Sequence, residues 1–162
     1  MKITSAEANK LLKKLEDNRD KLTRMESEDC TFRAAVGENV DDLRPDYVFS
    51  ETQEALNAIN DQIIKLKHAI NVFNVTSYVK DGLTIDQALI KLPMLNNRKR
   101  QLNSMRLMPE KKRYTIQGNV IDYMYTSYDP AEAVDAYAKV SDEIDELQLA
   151  LDTINHTKEF EF

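Results

Sequence analysis

Apolar residues recur along this chain in four stretches, each stepping by three and four positions. The clearest stretch, Leu56, Ile59, Ile63, Leu66, Ile70 and Phe73, is matched by Tyr137, Val140, Ile144, Leu147, Leu151 and Ile154. Such spacing lines one face of a helix and predicts the seam of a coiled coil or an antiparallel bundle. Ala8, Leu12, Leu15, Leu22 and Met25 form an earlier stripe, and Ala88, Leu92, Leu95, Leu102 and Met105 a later one. Thr4-x-x-Glu7, Ser50-x-x-Gln53, Thr84-x-x-Gln87 and Asp129-Pro130-x-Glu132 read as capping boxes, in which a side chain accepts from a free first-turn amide. Helices are therefore predicted over 5–27, 51–74, 85–106 and 130–155. Pro93 should kink or split the third, because it removes an amide donor and crowds the preceding turn.

Residues 28–49 and 107–128 exceed the ~12–15 residues beyond which a loop usually has structure of its own. Tyr114–Gln117 and Val120–Tyr125 flank Gly118-Asn119 and predict a β-hairpin with a glycine-first turn. In the earlier segment, Thr31–Val36 and Asp46–Ser50 predict a second ribbon, and Asp46-Tyr47-Val48-Phe49-Ser50 resembles Asp122-Tyr123-Met124-Tyr125-Thr126. Two-stranded ribbons are barely stable alone, so these should pack on each other, on the helices or on another subunit.

The two halves of the chain match each other. At an offset of 80 residues Thr4, Ala8, Leu12, Leu15, Leu22 and Met25 fall on Thr84, Ala88, Leu92, Leu95, Leu102 and Met105. At an offset of 81, Ala55, Asp61, Ile63, Leu66, Ala69, Asn74 and Thr76 fall on Ala136, Asp142, Ile144, Leu147, Ala150, Asn155 and Thr157. Apolar matches follow from any shared helical rhythm, but the matched Thr, Asp and Asn positions mark an internal duplication. The expected architecture is mainly α: one domain over 1–162 with repeats 1–80 and 81–162. Two antiparallel, coiled-coil-like helical hairpins form a four-helix unit, with short β-ribbons at the hairpin tips.

Charged residues make up 31% of the chain and glycine is rare, which suits long exposed helices. The net charge of −6 argues against a general nucleic-acid binder. One cysteine, Cys30, leaves no disulfide framework or CxxC metal site and predicts a reducing, cytoplasmic setting. Neither a signal-peptide core nor a membrane-span run is present, so no membrane span is expected. The apolar positions off the seam, Ile64, Val72 and Leu149, and the Tyr-rich ribbon leave further surface to cover and predict a homo-oligomer.

No catalytic constellation, cofactor motif or metal-ligand spacing emerges. His68 and His156 stand alone, and Cys30, just before a predicted strand, reads as a semi-buried thiol. Asp135, Asp142, Glu143, Asp145, Glu146 and Asp152 read as the wet face of the fourth helix rather than as cation ligands. The most uneven charge feature is basic: Arg98, Lys99, Arg100, Arg106, Lys111, Lys112 and Arg113, with Glu110 the one acid among them. It reads as a candidate anion or partner patch, or as a helix end neutralised by the acidic face of the fourth helix. Tyr47, Phe49, Tyr114, Tyr123 and Tyr125 are candidate interface residues. Arg19 and Lys99, equivalent in the repeat and in phase with the leucines, are candidate register-setting seam charges.

Asn74-x-Thr76, the run Asp81-Gly82-Leu83-Thr84-Ile85-Asp86-Gln87-Ala88-Leu89, the basic-aromatic segment after it and the closing Asn155-His156-Thr157 together resemble the septicolysin-like bacterial proteins, a family of uncharacterised function. His156 stands where that family has Trp, and Leu92-Pro93 replaces an Arg-Asp-type stretch. The resemblance implies the helical architecture, and the family label implies a cytolysin. The ribbons are too short and polar for a membrane-barrel hairpin. Three functional expectations follow: a non-enzymatic oligomeric scaffold or protein-interaction module, a nucleic-acid-associated protein using 98–113, and a membrane-active protein.

Overall fold

A computed structural model describes residues 1–114 and 121–162. The predicted glycine-first turn at Gly118-Asn119 lies outside the described residues. The protein is mainly helical, in the order β1 (Lys2–Thr4), α1 (Ser5–Asp29), α2 (Val40–Leu43), α3 (Phe49–Thr76), α4 (Ile85–Arg106), β2 (Lys111–Tyr114), β3 (Asp122–Tyr125), α5 (Pro130–Thr157) and β4 (Glu159–Glu161). The four long helices lie where the three-and-four spacing predicts them. The chain forms two compact units, one of Met1–Phe73 with Asn155–Phe162, the other of Asn74–Ile154. The two cuts, after Phe73 and after Ile154, are equivalent under the 81-residue offset of the repeat.

In the first unit α1 and α3 run antiparallel: Glu16 pairs with Lys67 at 2.7 Å, and further along α1 Glu26 accepts from Gln53 Nε2 at 2.6 Å. Ala8 and Leu15 from α1, Ile63 and Leu66 from α3 and Ile3 from β1 form a buried cluster. Leu11, Leu12, Ile59, Ile70 and Phe160 pack around it. Burying an aliphatic side chain of this size contributes about 1.5–3 kcal/mol. β1 and β4 pair antiparallel with Thr4 opposite Glu159, and Phe160 stacks on Phe73 with ring centroids 4.7 Å apart.

In the second unit α4 and α5 also run antiparallel, with Lys91 on Glu143 at 2.6 Å and, further along α4, the Met105 carbonyl accepting from Tyr128 Oη at 2.7 Å. Ile85, Ala88, Leu102, Ala133, Ile144, Leu147 and Leu151 are buried. The unit closes as the first one does: Tyr78 bridges Thr84, positions equivalent to Glu159 and Thr4. The chain turns there at Asp81 and Gly82, both at positive φ, with Leu83 N–H donating to the Lys80 carbonyl at 2.9 Å. Two successive positive φ values are the hairpin pattern that Asp-Gly favours. That dipeptide signals a hairpin in the sequence, where 74–83 reads only as a short connection.

Thr4 and Thr84 both close complete capping boxes, with Glu7 and Gln87 respectively. Asp129 caps α5 by accepting from Ala131 N–H at 2.8 Å. Ser50 does not cap, because α3 begins at Phe49 and Gln53 reaches Glu26 instead. α4 runs unbroken through Pro93, so the predicted split is absent.

The predicted first ribbon does not form. Thr31–Val36 is not a strand: Glu38 N–H donates to the Ala35 carbonyl at 3.1 Å, and Ala35 N–H to Glu38 Oε2 at 2.7 Å, around Gly37 at φ +96°. The turn ends the extended run, Asn39 then caps the short α2, and Phe49-Ser50 joins α3. Ribbon structure at a hairpin tip is confined to β2 and β3 among the described residues.

The capping boxes give a pH test. Thr4 N–H donates to Glu7 Oε2 at 2.9 Å, and the Thr4 hydroxyl lies 3.2 Å from it. These two bonds, the backbone one foremost, hold the Glu7 carboxyl below its ordinary pKa. A carboxylate with a depressed folded-state pKa contributes stability above its unfolded pKa, and that contribution is lost as pH falls through the folded value. Glu7→Gln copies the Gln87 box, which does not titrate. The melting temperature of the variant should therefore fall less than that of the wild type across the acid range where carboxylates titrate. Parallel curves would show that the Glu7 charge contributes nothing.

Candidate functional site

The basic stretch divides into two parts. On α4, Arg98 donates to Gln101 at 2.8 Å, and Arg100 donates to Asn97. Lys99 and Arg106 both face the Tyr137 ring of α5, at 5.5 and 4.2 Å from its centroid, and Arg106 Nε also donates to Asn103 at 3.0 Å. Tyr137, placed on the apolar seam by its spacing, is thus an anchor for two cations. An open cleft of about 700 Å³ runs here, lined by Pro93, Asn96, Asn97, Arg100 and Asn103 together with Lys99 and Tyr137.

The other part lies on the ribbon. The antiparallel register sets Lys111 opposite Tyr125, Lys112 opposite Met124, Arg113 opposite Tyr123 and Tyr114 opposite Asp122. Alternate strand residues share a face, so Lys111, Arg113, Tyr123 and Tyr125 stand on one side. All eight strand residues are exposed. The Lys111 ammonium lies 4.1 Å from the Tyr123 centroid and 5.6 Å from that of Tyr125, and the two rings are 6.4 Å apart. On the other side Lys112 and Met124 border a smaller cavity of about 220 Å³ with Met108, Pro109 and Tyr128.

Among the described residues, none of the seven cations takes part in an ion pair. The acidic face of α5 is met elsewhere: Glu143 by Lys91, and Glu146 by Lys80, whose pKa is raised chiefly by the hydrogen bond it donates to that carboxylate. Within this chain, therefore, none of those cations pairs with that face among the described residues. The acids of α5 attract lysines that lie outside the basic stretch.

The remaining candidates are scattered. Tyr47 is half-buried and donates to Glu26 Oε1 at 3.0 Å within the first unit; burial first, and then this bond, raises its phenol pKa. Phe49 is exposed. Arg19 pairs with its neighbour Asp20 at 2.9 Å. Cys30 is exposed at the C-terminus of α1 rather than semi-buried, because the strand expected beside it is absent. Among the described residues no cluster of three His, Cys, Asp or Glu is placed to hold a metal ion. No described helix is long and apolar enough to cross a membrane.

The spacing also misses an apolar surface. On α4, Ile90 and Met94 are exposed next to Pro93, on the side away from buried Ile85, Ala88 and Leu102, while exposed Leu89 lies one turn from Ile85 at the edge of the buried stripe. The seam spacing accounts for the buried set and leaves these residues aside. The signal available was that apolar residues occur on more than one side of this helix.

No family model matches the chain, and no curated protein matches it. A crystal structure of a functionally unknown conserved protein from Corynebacterium diphtheriae is similar to it, with a TM-score of 0.62 and 16% identity over 99% of this chain and 100% of that one. At that identity the likeness shows the fold.

Proposed function

We propose that the protein is a non-enzymatic helical interaction module that assembles with copies of itself. The observation that carries this reading is the second apolar side of α4, where Ile90 and Met94 are 60% and 66% exposed. A helix that is apolar on two sides needs two surfaces to cover it, and its own unit supplies one. The exposed Ile64, Val72 and Leu149 on the other long helices add to the surface that assembly would bury. Exposed, unbridged Cys30 fits a reducing compartment, so the cytoplasm is the proposed location. Kinship with the septicolysin-like proteins is proposed at the level of the helical repeat, without a cytolytic activity.

Light-scattering mass on a sizing column tests the reading. The wild type should run as one discrete oligomer, and Ile90→Glu with Met94→Glu should shift it to the monomer while leaving the helical circular dichroism unchanged. A monomeric wild type at high micromolar concentration would overturn the proposal.

A further inference from the structure

We infer that the ribbon face formed by Lys111, Arg113, Tyr123 and Tyr125 is a binding site for single-stranded nucleic acid. The ligand class follows from three observations. Two cations stand next to two exposed rings, because the register sets Lys111 across from Tyr125 and Arg113 across from Tyr123. The residues are 47% and 62% exposed, so the rings, with the Lys111 ammonium over that of Tyr123, face solvent rather than a core. Among the described residues neither cation has a carboxylate partner, although the chain carries a net charge of −6. In so acidic a protein, a cationic patch with no internal counter-ion matches a polyanion.

Geometry narrows that polyanion. Tyr123 and Tyr125 lie on the same side of one strand with centroids 6.4 Å apart. This separation suits neighbouring bases unstacked from each other, each against its own ring. Phosphates between those bases then run beside Lys111 and Arg113. A duplex hides its base faces and offers the rings nothing to stack on, so single strands are the ligand the site selects. An acidic peptide satisfies the cations and leaves the rings unused. The helical half of the basic stretch contributes less: Arg98 and Arg100 are tied to Gln101 and Asn97, and Tyr137, the ring beside Lys99 and Arg106, is half-buried and offers less surface than Tyr123 and Tyr125.

The test is fluorescence anisotropy of a labelled oligo-dT with the full chain over a range of salt concentrations. Binding should weaken steeply with salt. Lys111→Glu with Arg113→Glu should lose most of the affinity and flatten the log–log salt slope by about 1.4, the value for two phosphate contacts on a single strand. Tyr123→Ala with Tyr125→Ala should weaken binding about tenfold or more per ring and leave the slope unchanged. Tyr123→Phe with Tyr125→Phe keeps both rings and should bind like the wild type, which separates stacking from any disturbance of the ribbon. Absence of binding at low salt would overturn the inference. So would alanine variants that bind like the wild type, or a duplex or polyglutamate competing as well as unlabelled oligo-dT. The oligomer reading stands or falls separately, since Ile90 and Met94 are not on the ribbon.

Discussion

Leu66→Ala should lower the unfolding free energy by about 2–5 kcal/mol, the range for a leucine removed from a core that only partly collapses into the space. Leu66 is the residue to choose because it is 0% exposed and sits among Ile3, Ala8, Leu15 and Ile63. The side chains of the cluster around it are apolar, so they offer water no hydrogen bond in the space left behind. The measurement is chemical denaturation followed by helical circular dichroism. Leu66→Met, which nearly conserves volume, should cost less than about 1.5 kcal/mol. The repeat supplies a second arm: Leu147, the equivalent residue, is 4% exposed, so Leu147→Ala should cost a comparable amount. A Leu66→Ala midpoint close to that of the wild type would mean that the first unit is not packed as described.

Phe160→Ala should cost about 2–3 kcal/mol, less than for a fully buried phenylalanine because the ring is only half-buried. The loss has two parts, the burial itself and the stacking on Phe73 at 4.7 Å with an interplanar angle of 29°. Phe160 also lies opposite Ile3 in the β1–β4 pair, so the change should free that pair locally. Amide hydrogen exchange in Lys2–Thr4 and Glu159–Glu161 should accelerate more than exchange in α4. Equal acceleration throughout would show a general loss of stability and remove the local role.

The helices are legible in the sequence because an apolar stripe at three-and-four spacing has one economical burial, and because Thr4, Thr84 and Asp129 cap where they stand. Ser50 misleads for a local reason: its Gln53 partner finds a carboxylate on α1, and helix assignment alone cannot anticipate that contact. The extended reading of Thr31–Val36 rests on residue types and overlooks Gly37, whose positive φ permits the turn that ends the run. The site was legible as composition only. That Lys111 and Arg113 share a face with Tyr123 and Tyr125 depends on register, which residue types alone do not give. Which lysines meet the acids of α5 is likewise a matter of packing: Lys80 and Lys91 lie beside Glu146 and Glu143, while Lys99 and Arg106 lie farther along α4 beside Tyr137.

The closing strand β4 belongs to the unit of Met1–Phe73 although it lies beyond the whole of Asn74–Ile154. During synthesis the second unit therefore emerges as one contiguous stretch and needs no later residue to complete it. The first unit is made earlier, but the contacts of Phe160 with Ile3 and Phe73 form only after Phe160 has left the ribosome. Contacts that span nearly the full length of a chain form slowly. The half synthesised first is thus the half whose contacts are completed last.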